Sequence, residues 1–191
     1  MPANETIPKL NLCFQPFPEL RTERLLLRQV RPDDVDDIYF LRSDPTVLRF
    51  MDRYPTRSKD EAATFIENAR SMEAANESIL WALCFPADQR LIGTIGYWRM
   101  IPAHYRAEIG YVLHPQHQGK GLMTEAIKAV IHYAFEVMQL HSIEANINPL
   151  NIASKQVLLK NGFVQEAYFR ENFYFNGVFL DSMIFSRINN K

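Results

Sequence analysis

The chain has 191 residues, 47% of them hydrophobic and 23% charged, which supplies one folded domain and fits neither a disordered chain nor a two-domain machine. Lys and Arg number 21 against 22 Asp and Glu, a net charge of −1, so no global field draws the chain to nucleic acid or an acidic membrane. Cys13 and Cys84 are the only cysteines, which excludes a disulfide framework and a zinc cluster, and the apolar runs are too short for a membrane span. With neither the basic nor the apolar part of a signal peptide in Met1 to Leu12, the expectation is a cytoplasmic protein.

Residues 1–18 carry Pro2, Pro8, Pro16 and Pro18 without a sustained period and read as an N-terminal tail, leaving a domain over 19–188. Leu25, Leu26 and Leu27 form a first strand. Pro32-Asp33-Asp34 then starts a helix over roughly Asp33 to Leu41, with acidic side chains at its positive end. Ser58 and Glu61 have capping-box spacing, and Ala62, Phe65, Ile66, Ala69 and Met72 give the next helix one apolar face. From Ile79 the period shortens: Ile79 to Phe85, Leu91 to Met100 and Ala107 to Leu113 are rich in β-branched and aromatic residues. Beyond Gly121 the apolar positions Leu122, Ala126, Ala129, Val130, Tyr133, Ala134 and Val137 predict a helix of about twenty residues. A strand over Ser142 to Ile147, a helix over Asn151 to Lys160 stopped by Asn161-Gly162, and an aromatic hairpin turning at Asn176-Gly177 complete the chain. The order β-α-α-β-β-β-α-β-α-β-β makes an α/β fold, a mixed sheet with helices on its faces.

One stretch carries chemistry. A strand beginning at Glu108 runs through Gln116-x-x-Gly119-x-Gly121 straight into the long helix. Glycines without Cβ let several backbone N–H groups converge, and the helix dipole adds positive potential behind them, so the segment predicts a diphosphate site. The other reading is an ordinary strand-to-helix turn that uses glycine for its positive φ. About thirty residues on, Asn148-Pro-Leu-Asn151-Ile-Ala-Ser154 joins strand to helix, and the helix ends in Asn161-Gly-Phe163.

With Leu20-Arg-Thr-Glu-Arg24, Arg31-Pro-Asp-Asp34 and Glu108-Ile-Gly-Tyr111, these segments resemble the Gcn5-related N-acetyltransferase (GNAT) superfamily, and within it the RimJ/RimL-like ribosomal-protein N-acetyltransferase branch. The resemblance implies the GNAT fold, a mixed central sheet of about six to seven strands flanked by about four helices. It implies acetyl-CoA as cosubstrate and no metal. The pyrophosphate would lie on the loop Gln116, His117, Gln118, Gly119, Lys120, Gly121 and Leu122, and Thr124 would add a hydroxyl. Tyr111, Val112 and Leu113 would pair with the pantetheine arm, and Asn151 matches the family asparagine that touches it.

The reaction is attack of an amine on a thioester. An amine is mostly protonated at neutral pH, so a base must take its proton, and Glu108 is the candidate: a carboxylate in an otherwise apolar strand. Its plainer reading is an ion pair with Arg99 or Arg106. Strand N–H groups near Val112 or Leu113 are available for the oxyanion. Many members of the superfamily hold a tyrosine four residues before the terminal Gly-Phe glycine to protonate the thiolate, but here that residue is Leu158. Ser154 is the substitute, unless it only serves the helix terminus. The aromatic residues Phe169, Phe173, Tyr174, Phe175 and Phe179 either wall an acceptor pocket or pack across strands. The resemblance suggests an acceptor that is a protein N-terminal α-amine or a small amine. A CoA-binding module without turnover is the second reading.

Overall fold

The computed structural model describes residues 9–189. Eight strands form one sheet in the order β1-β2-β3-β4-β5-β6-β8-β7. The strands are β1 (Leu20–Arg21), β2 (Leu26–Gln29), β3 (Ile79–Cys84), β4 (Leu91–Ile101), β5 (Arg106–Leu113), β6 (Ser142–Ile147), β7 (Val164–Phe175) and β8 (Val178–Ile188). The helices are α1 (Val35–Ser43), α2 (Pro45–Leu48), α3 (Lys59–Ala74), α4 (Leu122–His132) and α5 (Ile152–Lys160). The count exceeds the sequence expectation by two elements whose signal is local. β1 is two residues, held by antiparallel pairing of Leu20 with Leu27. α2 is a single turn that Asp44 nucleates by accepting the N–H groups of Thr46 and Val47.

Sequence caps work as expected, with one variation. Ser58 accepts the Glu61 N–H at 3.2 Å, but the Glu61 carboxylate reaches back to the N–H of Arg57 rather than that of Ser58. The long helix is shorter in α form than its period suggests, because a π-helical turn follows over Tyr133–Val137.

The sheet separates two cores. Trp81, Ile95 and Ile109 face α4, through Ala126, Ile127 and Val130, and α5, through Leu158. Ala82, Leu80 and Val112 face the opposite way, onto Ile38 and Leu41 of α1 and Ala62 and Ile66 of α3. The strand period of two explains the division along β5: Ala107, Ile109, Tyr111 and Leu113 side with α4, while Val112 sides with α1 and α3.

Within the segment expected to be a tail, residues 9–18 lie against the first core; residues 1–8 fall outside the described residues. Phe14 is 0% exposed, Leu10, Leu12 and Phe17 pack beside it, and the Trp81 indole N–H donates to the Pro18 carbonyl at 2.7 Å. Burying a side chain such as Phe14 contributes about 1.5–3 kcal/mol, enough to hold a proline-punctuated strap without regular secondary structure.

Candidate active site

All neighbouring strands are antiparallel except β5 and β6, which run parallel and pair only at Arg106 with Ser142, Ala107 with Ile143 and Glu108 with Glu144. Beyond Glu108 they part, and β6 continues alone with β8 as far as Ile147. A wedge therefore opens between Ile109–Leu113 and the end of β6. The His114 N–H donates to the Ile92 carbonyl at 2.8 Å, and the β4–β5 register is unbroken from Gly93 with Leu113 to Trp98 with Glu108. Antiparallel alternation then commits the backbone of Val112 and Gly110 to β4 and turns that of Ile109, Tyr111 and Leu113 into the wedge. Of the three strand residues expected to meet the pantetheine arm, Tyr111 and Leu113 turn their backbone into the wedge, while that of Val112 pairs with Thr94 of β4. The Leu113 carbonyl is occupied by the Gln118 amide at 3.0 Å, which ties the following loop to the strand.

That loop opens with a 3-10 turn over Pro115–His117. The N–H groups of Gln116, His117 and Gln118 are used inside it, on His114 Nδ1, His114 O and Pro115 O. The expected cradle accordingly begins later. Gly119 (φ +73°) and Gly121 (φ +76°) take the left-handed conformation, and Glu125 is the first residue of α4 whose N–H finds a helical acceptor, the Gly121 carbonyl. Among the described residues no acceptor stands opposite the N–H groups of Gly119, Lys120, Gly121, Leu122, Met123 and Thr124. No Cβ contact lies within 4 Å at Gly119, so this end of the wedge is open to a ligand.

Arg24, which sequence reasoning did not place in the site, braces this loop. Its Nη1 donates to the Lys120 carbonyl at 2.9 Å and its Nε to the Glu125 carboxylate at 2.7 Å, while its backbone N–H reaches the other Glu125 oxygen at 2.8 Å. Burial alone would raise the Glu125 carboxyl, but the Thr22 hydroxyl and Arg24 outweigh it and hold the group below its ordinary value. Turning the Lys120 carbonyl toward a guanidinium keeps it away from an anion bound on the neighbouring N–H groups. The signal in the sequence was the Thr22-Glu23-Arg24 run, which lies between β1 and β2.

At the closed end of the wedge Glu108 is 5% exposed. Burial pushes its carboxyl above the ordinary glutamate value, and Arg99, at 3.2 Å, pulls it partly back. Arg99 is itself 64% exposed and is held in left-handed backbone, so the pair is screened on one side. Arg106, the alternative partner, binds Glu144 instead. The Trp98 indole lies over Gly110 beside Glu108, 3.5 Å from where a Cβ would stand.

The opposite face of β5 carries the second candidate. Ser154 is buried in the first turn of α5, its N–H capped by Asn151 Oδ1 at 3.0 Å, and its Oγ lies 2.7 Å from the Tyr111 hydroxyl. Asn151 is thus the N-cap of α5. Burial pushes the Tyr111 phenol up to about 12, which keeps it protonated at neutral pH. Leu158, at the position that raised the question of the missing acid, is fully buried core. The hydroxyl that stands on Ser154 comes from β5, forty-three residues earlier in the chain, and the sequence marked Tyr111 only for its backbone.

A cavity of about 630 Å³ opens beyond the wedge, between the loop after α2, the β6–α5 loop and the tip of the β7–β8 hairpin. Arg49, Asp52, Arg53, Asn148 and Phe175 are among its walls; Glu108 is not. Of the hairpin aromatics, Phe175 lines this space and packs on Tyr54 at 4.9 Å, whereas Tyr174 and Phe179 pack across the strands at 5.0 Å. Among the described residues no group of three His, Cys, Asp or Glu could hold a metal ion, and no helix is long and apolar enough to cross a membrane.

The acetyltransferase (GNAT) domain family matches residues 24–164. The chain belongs to that family. It is an N-acetyltransferase. An uncharacterized N-acetyltransferase of Bacillus subtilis, YoaA, is 34% identical over 170 residues, covering 89% of this chain and 96% of the relative. The structure of a ribosomal-protein-S5-alanine acetyltransferase from Vibrio fischeri superposes with a TM-score of 0.78 at 25% identity, over 91% of this chain and 98% of its own. Spermidine N-acetyltransferase from Vibrio cholerae, in complex with CoA and spermine, gives 0.78 at 25% identity over 89% and 98%. Relatives of the RimJ/RimL type are therefore among the matches, beside an enzyme of polyamines.

Proposed function

We propose that this N-acetyltransferase binds acetyl-CoA in the wedge and transfers its acetyl group to a primary amine by direct attack, in the cytoplasm. What supports this most is the parting of β5 from β6 after Glu108, which leaves one free strand edge ending beside six unpaired loop N–H groups. The diphosphate would lie on Gly119 to Thr124. The pantetheine amides would pair with Tyr111 and Leu113, bringing the thioester toward Glu108. There the raised carboxyl would take a proton from the attacking ammonium, directly or through water. The amine nitrogen then forms a bond to the carbonyl carbon, and the oxyanion is held by a wedge-facing N–H. When the C–S bond breaks, the Tyr111–Ser154 pair, on the face of β5 opposite Glu108, protonates the departing thiolate and is reprotonated from water, while the nitrogen gives up its second proton to water as the amide forms. Base and acid thus act from the two sides of the thioester.

The acceptor is an amine of the kind the relatives' names describe, a protein N-terminus or a small amine. Incubation with acetyl-CoA and an acceptor panel, with free CoA as readout, tests the reading. The expected result is acceptor-dependent CoA release that Glu108→Gln reduces to background. Release that depends on no acceptor, or that survives Glu108→Gln unchanged, would overturn it.

A further inference from the structure

The cavity beyond the wedge has a charge problem that the acetyl-transfer reading does not use. Arg53 lines it, and Arg42 stands behind, close enough for its charge to depress Arg53. Neither guanidinium meets a carboxylate: Arg53 Nη2 contacts the Met51 sulfur at 3.0 Å and Arg42 lies over the Phe65 ring at 3.9 Å. In both, Nε is buried without a hydrogen-bond partner. Both side chains are partly buried, and a guanidinium drawn partly out of water is better satisfied by a counter-ion than by a sulfur or a ring. Both arginines are pushed below their ordinary value by that desolvation, Arg53 to about 10, which still leaves it charged at neutral pH.

The same cavity holds one acid, Asp52, next to Asn148. Asn148 belongs to the β6–α5 loop, where its Oδ1 accepts the Leu150 N–H at 3.0 Å, three residues before the Asn151 cap of the Ser154 helix. The cavity is therefore walled by the same loop that leads into the Ser154 helix. With Arg49, its lining carries two cations and one anion, a set that complements an ammonium and a carboxylate on one molecule and repels a polycation.

We propose that the acceptor is an amine carrying a carboxylate, which Arg53, backed by Arg42, binds as its missing counter-ion while the amine is left free for Glu108. This rests on the acetyltransferase reading and narrows it: polyamines are excluded, and peptide N-termini with a nearby acidic group or free amino acids are selected. The planar fork of Arg53 binds a carboxylate in two parallel hydrogen bonds, and Asp52 disfavours a doubly charged phosphate in the same space.

The test uses matched acceptors that differ only in the carboxylate: alanine against alaninamide, the peptide amide Ala-Glu-Ala against Ala-Gln-Ala, and spermidine. CoA release gives kcat/KM for each, and the thermal midpoint in the presence of CoA gives binding without turnover. At least one acid should exceed its amide by about tenfold or more, spermidine should rank below it, and Arg53→Gln should bring that ratio toward one. Which pair shows the ratio tells a main-chain from a side-chain carboxylate. Equal rates within both pairs, a preference for spermidine, or a ratio that survives both Arg53→Gln and Arg42→Gln overturns the proposal. The wild-type comparison decides by itself if a variant does not fold. If no acceptor releases CoA, the transfer reading fails and the midpoints decide this one: a larger shift with an acid than with its amide upholds it, and equal shifts overturn it.

Discussion

The two ends of the wedge solve the binding of charge in opposite ways. At the glycine loop the positive potential is made of backbone: six N–H groups of consecutive residues, turned outward by two left-handed glycines and braced by one ion pair between Arg24 and Glu125. At the cavity it is made of side chains, Arg49 and Arg53 after α2 with Arg42 of α1 behind and Asp52 set against them, and the Nε atoms of Arg42 and Arg53 are left unpartnered. The first arrangement is satisfied by any diphosphate and is indifferent to what the phosphates carry. The second, as proposed, would discriminate between acceptors by their charge.

The comparison breaks first at the chemistry between the ends. Glu108→Gln should lower kcat by about 10² to 10⁴-fold while the thermal shift with acetyl-CoA persists, because general-base catalysis contributes that much and Glu108 touches neither loop nor cavity. In the wild type the ascending limb of kcat/KM against pH should lie above the ordinary glutamate range, since burial favours the protonated carboxyl and the base acts only when ionised. A limb that persists in Glu108→Gln would assign the proton to another group.

At the donor end, acetyl-CoA at a hundredfold excess over its dissociation constant should stabilise the protein by about 2.7 kcal/mol, roughly 5–11 °C in the midpoint for a chain of this size. Gly119→Glu should abolish the shift by placing a negative charge and a strained left-handed residue in the loop. If the shift survives, the diphosphate lies elsewhere.

A smaller effect is expected from the proton donors. Tyr111→Phe or Ser154→Ala should each slow turnover by about tenfold, and the double variant should cost little more than either alone if the two hydroxyls act as one unit across their 2.7 Å contact. Additive losses would separate them.

The smallest effect belongs to Arg24→Gln, which removes the brace without removing a phosphate donor: KM for acetyl-CoA should rise severalfold with kcat nearly constant. Because the Glu125 carboxyl is held below its unfolded value, the stability it contributes is present at neutral pH and is lost as the pH falls through the folded value. The midpoint difference between wild type and Arg24→Gln should therefore narrow below about pH 4.

By itself the sequence determined what depends on neighbours along the chain. The period changes located β3, β4, β5 and α4, and Ser58 and Asn161-Gly162 marked helix ends. Gly119 and Gly121 located the left-handed turn with its unpaired N–H groups, and Glu108 stood out as an acid in an apolar strand, because strand alternation, capping and positive φ are all set within a few residues. Local signals were blind in two places: Val112 differs from Tyr111 and Leu113 only by which strand its backbone faces, and Phe14 is core only because a proline-marked segment folds back onto Trp81. Tertiary structure alone decided the meeting of Tyr111 with Ser154, of Arg24 with the Lys120 carbonyl, and of Arg42 with Arg53. Each of these joins groups whose separation in space is set by how helices and strands pack, and no spacing along the chain encodes the cost of two partly buried charges that lack a partner.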